Sequence, residues 1–169
     1  MTTYEKYKSA GINLARAGFE ERGEHIPYFC TPQGAKILGC PGVDGIHFCF
    51  VDGFDEMVFA ISPMNCPGEY VHIVAESFAD FLSLIMACGD TAAIEQAWQW
   101  DEERFYKFLA EYPPTDEAKS AFAQLENKLG ITPMAKPYEY MMALQKSFDY
   151  SELKFTVEYY DTLGLPMPE

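Results

Sequence analysis

The sequence has little positive charge. Only 12 of its 169 residues are lysine or arginine, against 26 aspartate and glutamate, so the formal net charge is −14. Residues 31 to 100 contain one basic side chain, Lys36, and nine acidic ones. Nucleic acids and anionic membranes are bound through clustered lysine and arginine, so we expect neither as a partner. The composition is 49% hydrophobic, which is enough for one core, and we predict a single domain over residues 1–169.

Long apolar runs and paired cysteines are also missing. The longest stretch without a charged residue, residues 57–68, is shorter than the roughly 20 apolar residues of a membrane helix. The first residues do not resemble a secretion signal, because no apolar segment follows a basic start. The five cysteines show no Cys-x-x-Cys spacing. We therefore predict a cytoplasmic protein with reduced, mostly buried thiols.

Two motifs have the spacing of metal ligands on helices. They are Asp44-x-x-His47 and Glu69-x-x-His72, which match the carboxylate and histidine spacing of di-metal helical bundles. Both motifs fall in or beside predicted strands, where side chains three positions apart point to opposite faces. We therefore expect no metal site and no cofactor.

A thiol nucleophile is the other chemistry to consider, because His47 and Cys49 share one face of a predicted strand. A catalytic thiolate needs an electropositive setting, whereas this region is acidic, so we expect no enzyme. One alternative stays open. A small-molecule-binding protein or enzyme could use a pocket near His47, Cys49 and His72 if these groups converge in a cleft.

The strand patterns predict an α+β fold with a mainly antiparallel sheet, a central hairpin and helices packed on one face. The hairpin spans Ile46 to Ile61 around a four-residue loop, residues 52–55. That loop would pair Val51 with Glu56 and Phe48 with Phe59. All the bulky side chains would then lie on one face, namely Ile46, Phe48, Phe50, Met57, Phe59 and Ile61. Further strands are predicted at residues 35–38 and 70–75.

Helix start and stop signals divide the remaining sequence. Thr2 and Glu5 resemble a capping box that opens a helix over about the first 17 residues. Later helices are predicted to start after Ser77, after Asp90, before Phe105, after Thr115 and at Pro137. Trp98 falls in the second of these helices and is expected in the core. Residues 115–169 form a helical extension, in which alternation from Leu153 to Tyr160 predicts a half-buried strand.

Three segments resemble the SUKH superfamily. They are Val58-Phe59-Ala60-Ile61-Ser62-Pro63, the strand Tyr70 to Ala75, and Ala75-Glu76-Ser77-Phe78-Ala79-Asp80-Phe81-Leu82, which is similar to the family's strand-to-helix junction. This family includes a yeast regulator of cell-wall glucan synthesis and bacterial immunity proteins that neutralise polymorphic toxins. The resemblance covers about residues 24–110. It implies an α+β domain with no catalytic constellation that functions by binding proteins.

The leading hypothesis is a non-enzymatic, acidic interaction domain, monomeric or weakly self-associating. Its partner would be a basic protein, such as a toxin or a regulatory protein, because complementary charge raises association rates. The predicted contacts are acidic residues in loops beside the strands: Asp44, Asp52, Asp55, Glu56 and Glu69.

Overall fold

The computed structural model describes residues 1–23 and 25–169. Four strands form one antiparallel sheet in chain order: β1 Ala35–Gly39, β2 His47–Val51, β3 Val58–Ile61 and β4 Val71–Ala75. The helices within these residues are α1 Thr3–Ala10, α2 Phe78–Cys88, α3 Ala92–Gln96, α4 Glu102–Glu111, α5 Asp116–Leu129, α6 Pro137–Ser147 and α7 Val157–Leu163. The predicted α+β fold with an antiparallel sheet is confirmed. Glu24, where the family-like core was expected to begin, lies outside the described residues.

Caps determine where most helices begin and end. The Thr2 hydroxyl accepts a hydrogen bond from the backbone of Glu5, whose carboxylate accepts one from the backbone of Thr2, so the predicted capping box is present. The prediction that this helix continues to about residue 17 is wrong. Gly11 takes a left-handed conformation, with φ +65°, and ends α1 at Ala10. Residues 15–17 form a separate 3₁₀ turn.

The predicted register of the hairpin is wrong by one residue. Phe48 lies opposite Ala60, and Cys49 lies opposite Phe59. The loop contains two successive turns, in which the backbone of Phe54 donates to Val51 O and that of Met57 donates to Phe54 O. These turns add one residue to the loop, and a shift of one residue moves alternate side chains to the other face.

Both faces of the sheet are consequently apolar and buried. The first face packs against the helices, and its buried residues include Phe48, Val58, Ala60 and Val74. On this side, α2 places Phe78 against the rings of Tyr4, Tyr7, Phe19, Phe50 and Phe81. The second face contributes Cys49, Phe59, Ile61 and Ile73 to a separate cluster.

Residues 140–163, which we call the C-terminal segment, cover that second face. The strand predicted over Leu153–Tyr160 is wrong, because the chain is extended without a strand ladder as far as Thr156 and then forms α7. One backbone hydrogen bond, from Gln33 N to Lys154 O, ties the extended part to the chain preceding β1. The ring of Phe148 packs against Phe54 and Phe59, so this segment contributes to the core without joining the sheet.

A close approach joins the N-terminal region to the start of α3. The buried hydroxyl of Thr91 donates to Gly18 O, and the backbone N–H of Thr91 donates to Ala17 O. Gly18 has φ +77°, and a Cβ atom there would lie 2.3 Å from Thr91 Oγ1. Glycine therefore meets both the conformational and the steric requirement at this position.

Candidate functional site

The five predicted acidic contacts lie at both ends of the sheet. In an antiparallel sheet of consecutive strands, successive connections lie at opposite ends. Asp44 lies in the β1–β2 connection and Glu69 in the β3–β4 connection, at one end. Asp52, Asp55 and Glu56 lie in the β2–β3 loop at the other end, and the five residues of β2 separate the two groups by roughly 13 Å. The five residues therefore form two groups, and their role as partner contacts stays a prediction.

Glu56 has an intramolecular role in addition. Its Oε1 accepts a hydrogen bond from the backbone N–H of Tyr4 at 3.2 Å, close to the start of α1. The first-turn N–H groups of a helix have no intrahelical acceptor, so Glu56 satisfies one of them. This carboxylate therefore connects the hairpin loop to α1.

His47 has the hydrogen bonds of a structural histidine. Its Nδ1–H donates to Gly45 O at 2.8 Å, and the hydroxyl of Thr31 lies 3.0 Å from Nε2. Burial lowers the pKa of this imidazole, so the neutral form with its proton on Nδ1 fits both contacts. Both ring nitrogens are thus occupied.

Cys49 is fully buried in the second cluster. Burial raises the pKa of its thiol to about 12, which keeps it protonated at neutral pH. All five cysteines are free, and Cys66 is the exposed one. His47 and His72 line different clefts. The structure therefore does not bring His47, Cys49 and His72 together, and the pocket suggested by the sequence is wrong.

A cleft of about 470 Å³ lies along the outer edge of β4. The wall on the side of the helices includes His72 and Trp98. The opposite wall comes from the C-terminal segment and includes Tyr150, Phe155 and Tyr159. Glu69 lines the cleft just before β4 begins. We call this the β4 cleft.

His72 is held in place by two neighbours in the β4 cleft. Its ring stacks on the indole of Trp98, with the centroids 4.7 Å apart and the planes 12° apart. Its Nε2–H donates to Glu69 Oε2 at 2.7 Å. Burial lowers the pKa of His72, although the bond to Glu69 opposes this shift. The imidazole is therefore neutral at pH 7, and the negative charge of Glu69 is not cancelled.

The C-terminal segment closes part of the β4 edge with side chains. The hydroxyl of Tyr150 accepts a hydrogen bond from Ile73 N at 3.2 Å, and Gln145 Nε2 donates to Ile73 O at 3.1 Å. Farther along, the hydroxyl of Tyr140 accepts from Glu76 N. An unpaired strand edge exposes backbone groups that need partners, and these side chains supply them in place of a fifth strand.

Among the described residues, the lining of the β4 cleft combines aromatic side chains with one carboxylate and includes no lysine or arginine. The Glu69 side chain is 41% exposed, and its Oε1 atom has no hydrogen-bond partner within the described residues. A cation over an aromatic face is stabilised by the ring quadrupole, and a neighbouring carboxylate adds a charge-assisted hydrogen bond. This arrangement is suited to binding a positively charged group.

A second cleft, of about 600 Å³, lies beside His47. Its lining carries charge of both signs, from Arg22, Asp44 and Glu158. The ring of Tyr28 stacks on His47, with centroids 5.7 Å apart. The two hydrogen bonds of His47 occupy both of its ring nitrogens, so His47 has no free nitrogen to offer a ligand in this cleft.

The expectation that the side chains of Glu69 and His72 point to opposite faces is wrong. Glu69 lies in the connection before β4, and its Oε2 accepts a hydrogen bond from His72.

Local sequence patterns also do not indicate the residues that complete the β4 cleft. Trp98 was expected in the core, whereas it is half-buried with its indole against His72. Tyr150 and Gln145 are more than 70 residues away from Ile73 in the chain. No short motif links positions so far apart, and only the packing of α6 beside β4 brings them together.

Neither a metal-binding cluster nor a membrane-spanning helix is found in the described residues. Among residues 1–23 and 25–169, no group of three or more histidine, cysteine, aspartate or glutamate side chains is placed to hold a metal ion. In the same part of the chain, no helix has the length and apolarity needed to cross a membrane.

Searches against family models, curated proteins and solved structures found no match.

Proposed function

We propose that this protein is a non-enzymatic binding protein that holds a basic side chain of a partner protein in the β4 cleft. The observation that carries this proposal is the position of Glu69, a partly exposed carboxylate in an aromatic-lined cleft without a lysine or arginine. A lysine or arginine of the partner would pair with Glu69 and lie against the aromatic wall. Arginine suits this environment especially well, because its planar guanidinium stacks on rings and donates in parallel to a carboxylate.

The charge of the whole chain supports the same class of partner. A net charge of −14 attracts a basic protein over long range and raises the rate of encounter. The resemblance to the SUKH superfamily implies function by protein binding, with a toxin or a regulatory protein as partner. In this proposal Glu69 is the main contact with the partner, whereas the sequence suggested five acidic loop residues.

Titration with blocked peptides tests this proposal. One seven-residue peptide alternates lysine with threonine and a matched peptide alternates glutamate with threonine; calorimetry measures binding to each. We expect the basic peptide to bind and Glu69→Gln to weaken its binding about fivefold, which is modest because Glu69 is partly exposed. Glu76→Gln is the matched control, because Glu76 is exposed near the other end of β4. Equal effects of the two substitutions, or equal binding of the two peptides, would refute the proposal.

The size of the cleft favours a second candidate, a binding protein for a small organic cation. A volume of about 470 Å³ lies within the range of small-molecule sites, and aromatic walls are typical of sites for quaternary ammonium groups. Titration with tetramethylammonium and with guanidinium, followed by tryptophan fluorescence, separates the two candidates. If either free cation binds as tightly as the basic peptide, the small-molecule function replaces the protein-binding one.

A further inference from the structure

We infer that the partner segment binds as an extended strand that pairs with Val71 on the outer edge of β4. This inference rests on the proposed function and specifies its binding mode. Adding a strand to a sheet edge supplies main-chain hydrogen bonds, while alternate side chains enter pockets on the two sides. The relevant backbone groups are the N–H and C=O of Val71, which lines the β4 cleft.

The ladder between β3 and β4 shows which backbone groups point outward. Ser62 N donates to Tyr70 O at 2.8 Å, so the backbone of Tyr70 points toward β3. The next residue, Val71, points away from β3, because backbone groups alternate in direction along an antiparallel strand. Ile73, two positions later, points outward as well, as its bonds to Tyr150 and Gln145 show.

Val71 is the outward position that the fold leaves unpaired. Within the described residues, the sheet has no strand beyond β4 and no hydrogen bond reaches the outward groups of Val71. At the opposite edge, Cys40 exchanges two backbone hydrogen bonds with Glu20, so that edge has a partner just beyond β1. Because side chains already occupy Ile73, an added strand can pair only over the start of β4 and must be short.

Charge decides between two possible occupants of this edge. A second copy of the chain would bring another −14 net charge to the interface. Two chains with large net charges of the same sign repel each other, which opposes this pairing. A basic segment instead places a positive side chain near Glu69, two positions before Val71. The occupant that the structure favours is therefore an extended segment of a basic partner.

Hydrogen exchange on the unmodified protein tests this binding mode. With the lysine–threonine peptide at saturation, we expect exchange of the Val71 amide to slow at least tenfold. The Ile73 amide is already bonded to Tyr150, so its exchange should change little. Tryptophan fluorescence and calorimetry report in parallel whether the peptide is bound.

The outcomes separate the two proposals. A peptide that binds in a Glu69-dependent way while Val71 exchange is unchanged refutes strand pairing and leaves the proposed function standing. Failure of the basic peptide to bind refutes the proposed function and this inference with it. Protection of Val71 that rises with protein concentration in the absence of peptide identifies a second copy as the occupant and overturns the inference.

A pair of substitutions provides an independent test. Val71→Pro removes the outward N–H without removing a ladder bond, and proline is tolerated on edge strands. Val71→Ala shortens the same side chain but keeps the N–H. We expect the proline variant to bind the peptide about three- to tenfold more weakly than the alanine variant, as for the loss of one hydrogen bond. Equal affinities in two folded variants would contradict strand pairing.

Discussion

The imidazole of His72 stacks on the indole of Trp98, with the ring centroids 4.7 Å apart, while its Nε2–H donates to Glu69. Trp98 belongs to the 3₁₀ turn that follows α3, whereas His72 lies in β4. The stack therefore joins the helical layer to the edge of the sheet. The hydrogen bond from His72 uses Oε2 of Glu69, and within the described residues Oε1 has no partner.

Replacing Glu69 should lower the pKa of His72 further. Burial already lowers that pKa, and the carboxylate is the group that opposes the shift, so Glu69→Gln removes the opposing effect. Titration of the histidine ring signals by NMR measures the change. His47 is the internal control, because it lies in another cleft and its titration should not move. An unchanged titration of His72 in the variant would show that the pair is not formed in solution.

The two buried histidines should make the protein less stable in mild acid. Each pKa is below the ordinary value of 6.5, so the unfolded chain binds a proton more tightly than the folded chain does. This contribution to stability is complete above about pH 6.5 and decreases as the pH falls toward the folded-state pKa values. Denaturant unfolding of wild type and His47→Gln at pH 7 and pH 5.5 measures it. The decrease should be smaller in the variant.

Glu95 should act in the opposite direction. Burial, assisted by the nearby charge of Asp44, raises its pKa from 4.5 to about 7. Stability therefore decreases as the pH rises from about 4.5, where the unfolded chain ionises, to about 7, where the folded chain ionises, and the loss is complete above that pH. Glu95→Gln imitates the protonated form and should raise the free energy of unfolding by about 1–2 kcal/mol more at pH 8 than at pH 5, after allowance for partial exposure. Glu126→Gln, on the exposed side of α5, is the matched control and should show no such difference. An identical pH profile for the two variants would contradict the prediction.

Truncating Phe148 tests whether the C-terminal segment is part of the core. Its ring lies 5.4 Å from Phe59 and 4.9 Å from Tyr150, centroid to centroid. Phe148→Ala should lower the free energy of unfolding by about 2–4 kcal/mol, because it leaves a cavity against the second face of the sheet. Tyr112→Ala removes an aromatic ring that is 61% exposed and should cost less than about 1 kcal/mol. Similar losses in both variants would show that the segment is not packed as described.

Substitutions at two glycines with similar backbone angles distinguish the cost of a left-handed conformation from the cost of a steric clash. Gly11 has φ +65° and Gly18 has φ +77°, but an added Cβ meets nothing within 4 Å at Gly11. Gly11→Ala should therefore cost only the left-handed conformation, about 1 kcal/mol. Gly18→Ala must also displace the Thr91 hydroxyl from its buried hydrogen bond, so its cost should be at least about 2 kcal/mol greater. Urea unfolding measures both values, and equal costs would contradict the close approach to Thr91.

Local signals in the sequence predicted the elements that depend on neighbouring residues. The Thr2 capping box, the Ser77 cap and the Pro137 first turn all involve side chains within three residues of the helix end, and all three are confirmed. The strands are predictable because short apolar runs lie between turn residues. Their register is not, because placing all bulky residues on one face presumes a single apolar face, and a sheet covered on both sides has two.

The prediction of a C-terminal strand is wrong for a related reason. Apolar residues two positions apart predict a strand that is half-buried, and Leu153 and Phe155 do pack inward. They do so from an extended segment without a ladder, because α6 and the side chains of Gln145 and Tyr150 already occupy the adjacent part of the β4 edge. Whether an extended segment joins a sheet depends on which edge is open, and that is a property of the assembled chain.

The sequence by itself determined the acidic charge, the α+β class and several helix starts, because each depends on composition or on residues a few positions apart. The tertiary structure alone decided that both faces of the sheet are buried, that the five acidic loop residues divide between opposite ends, and that His72 meets Trp98 beside Glu69. Strand register and the pairing of distant side chains follow from how the whole chain packs. Local sequence does not encode them separately, since a loop longer by one residue exchanges the two faces of a strand.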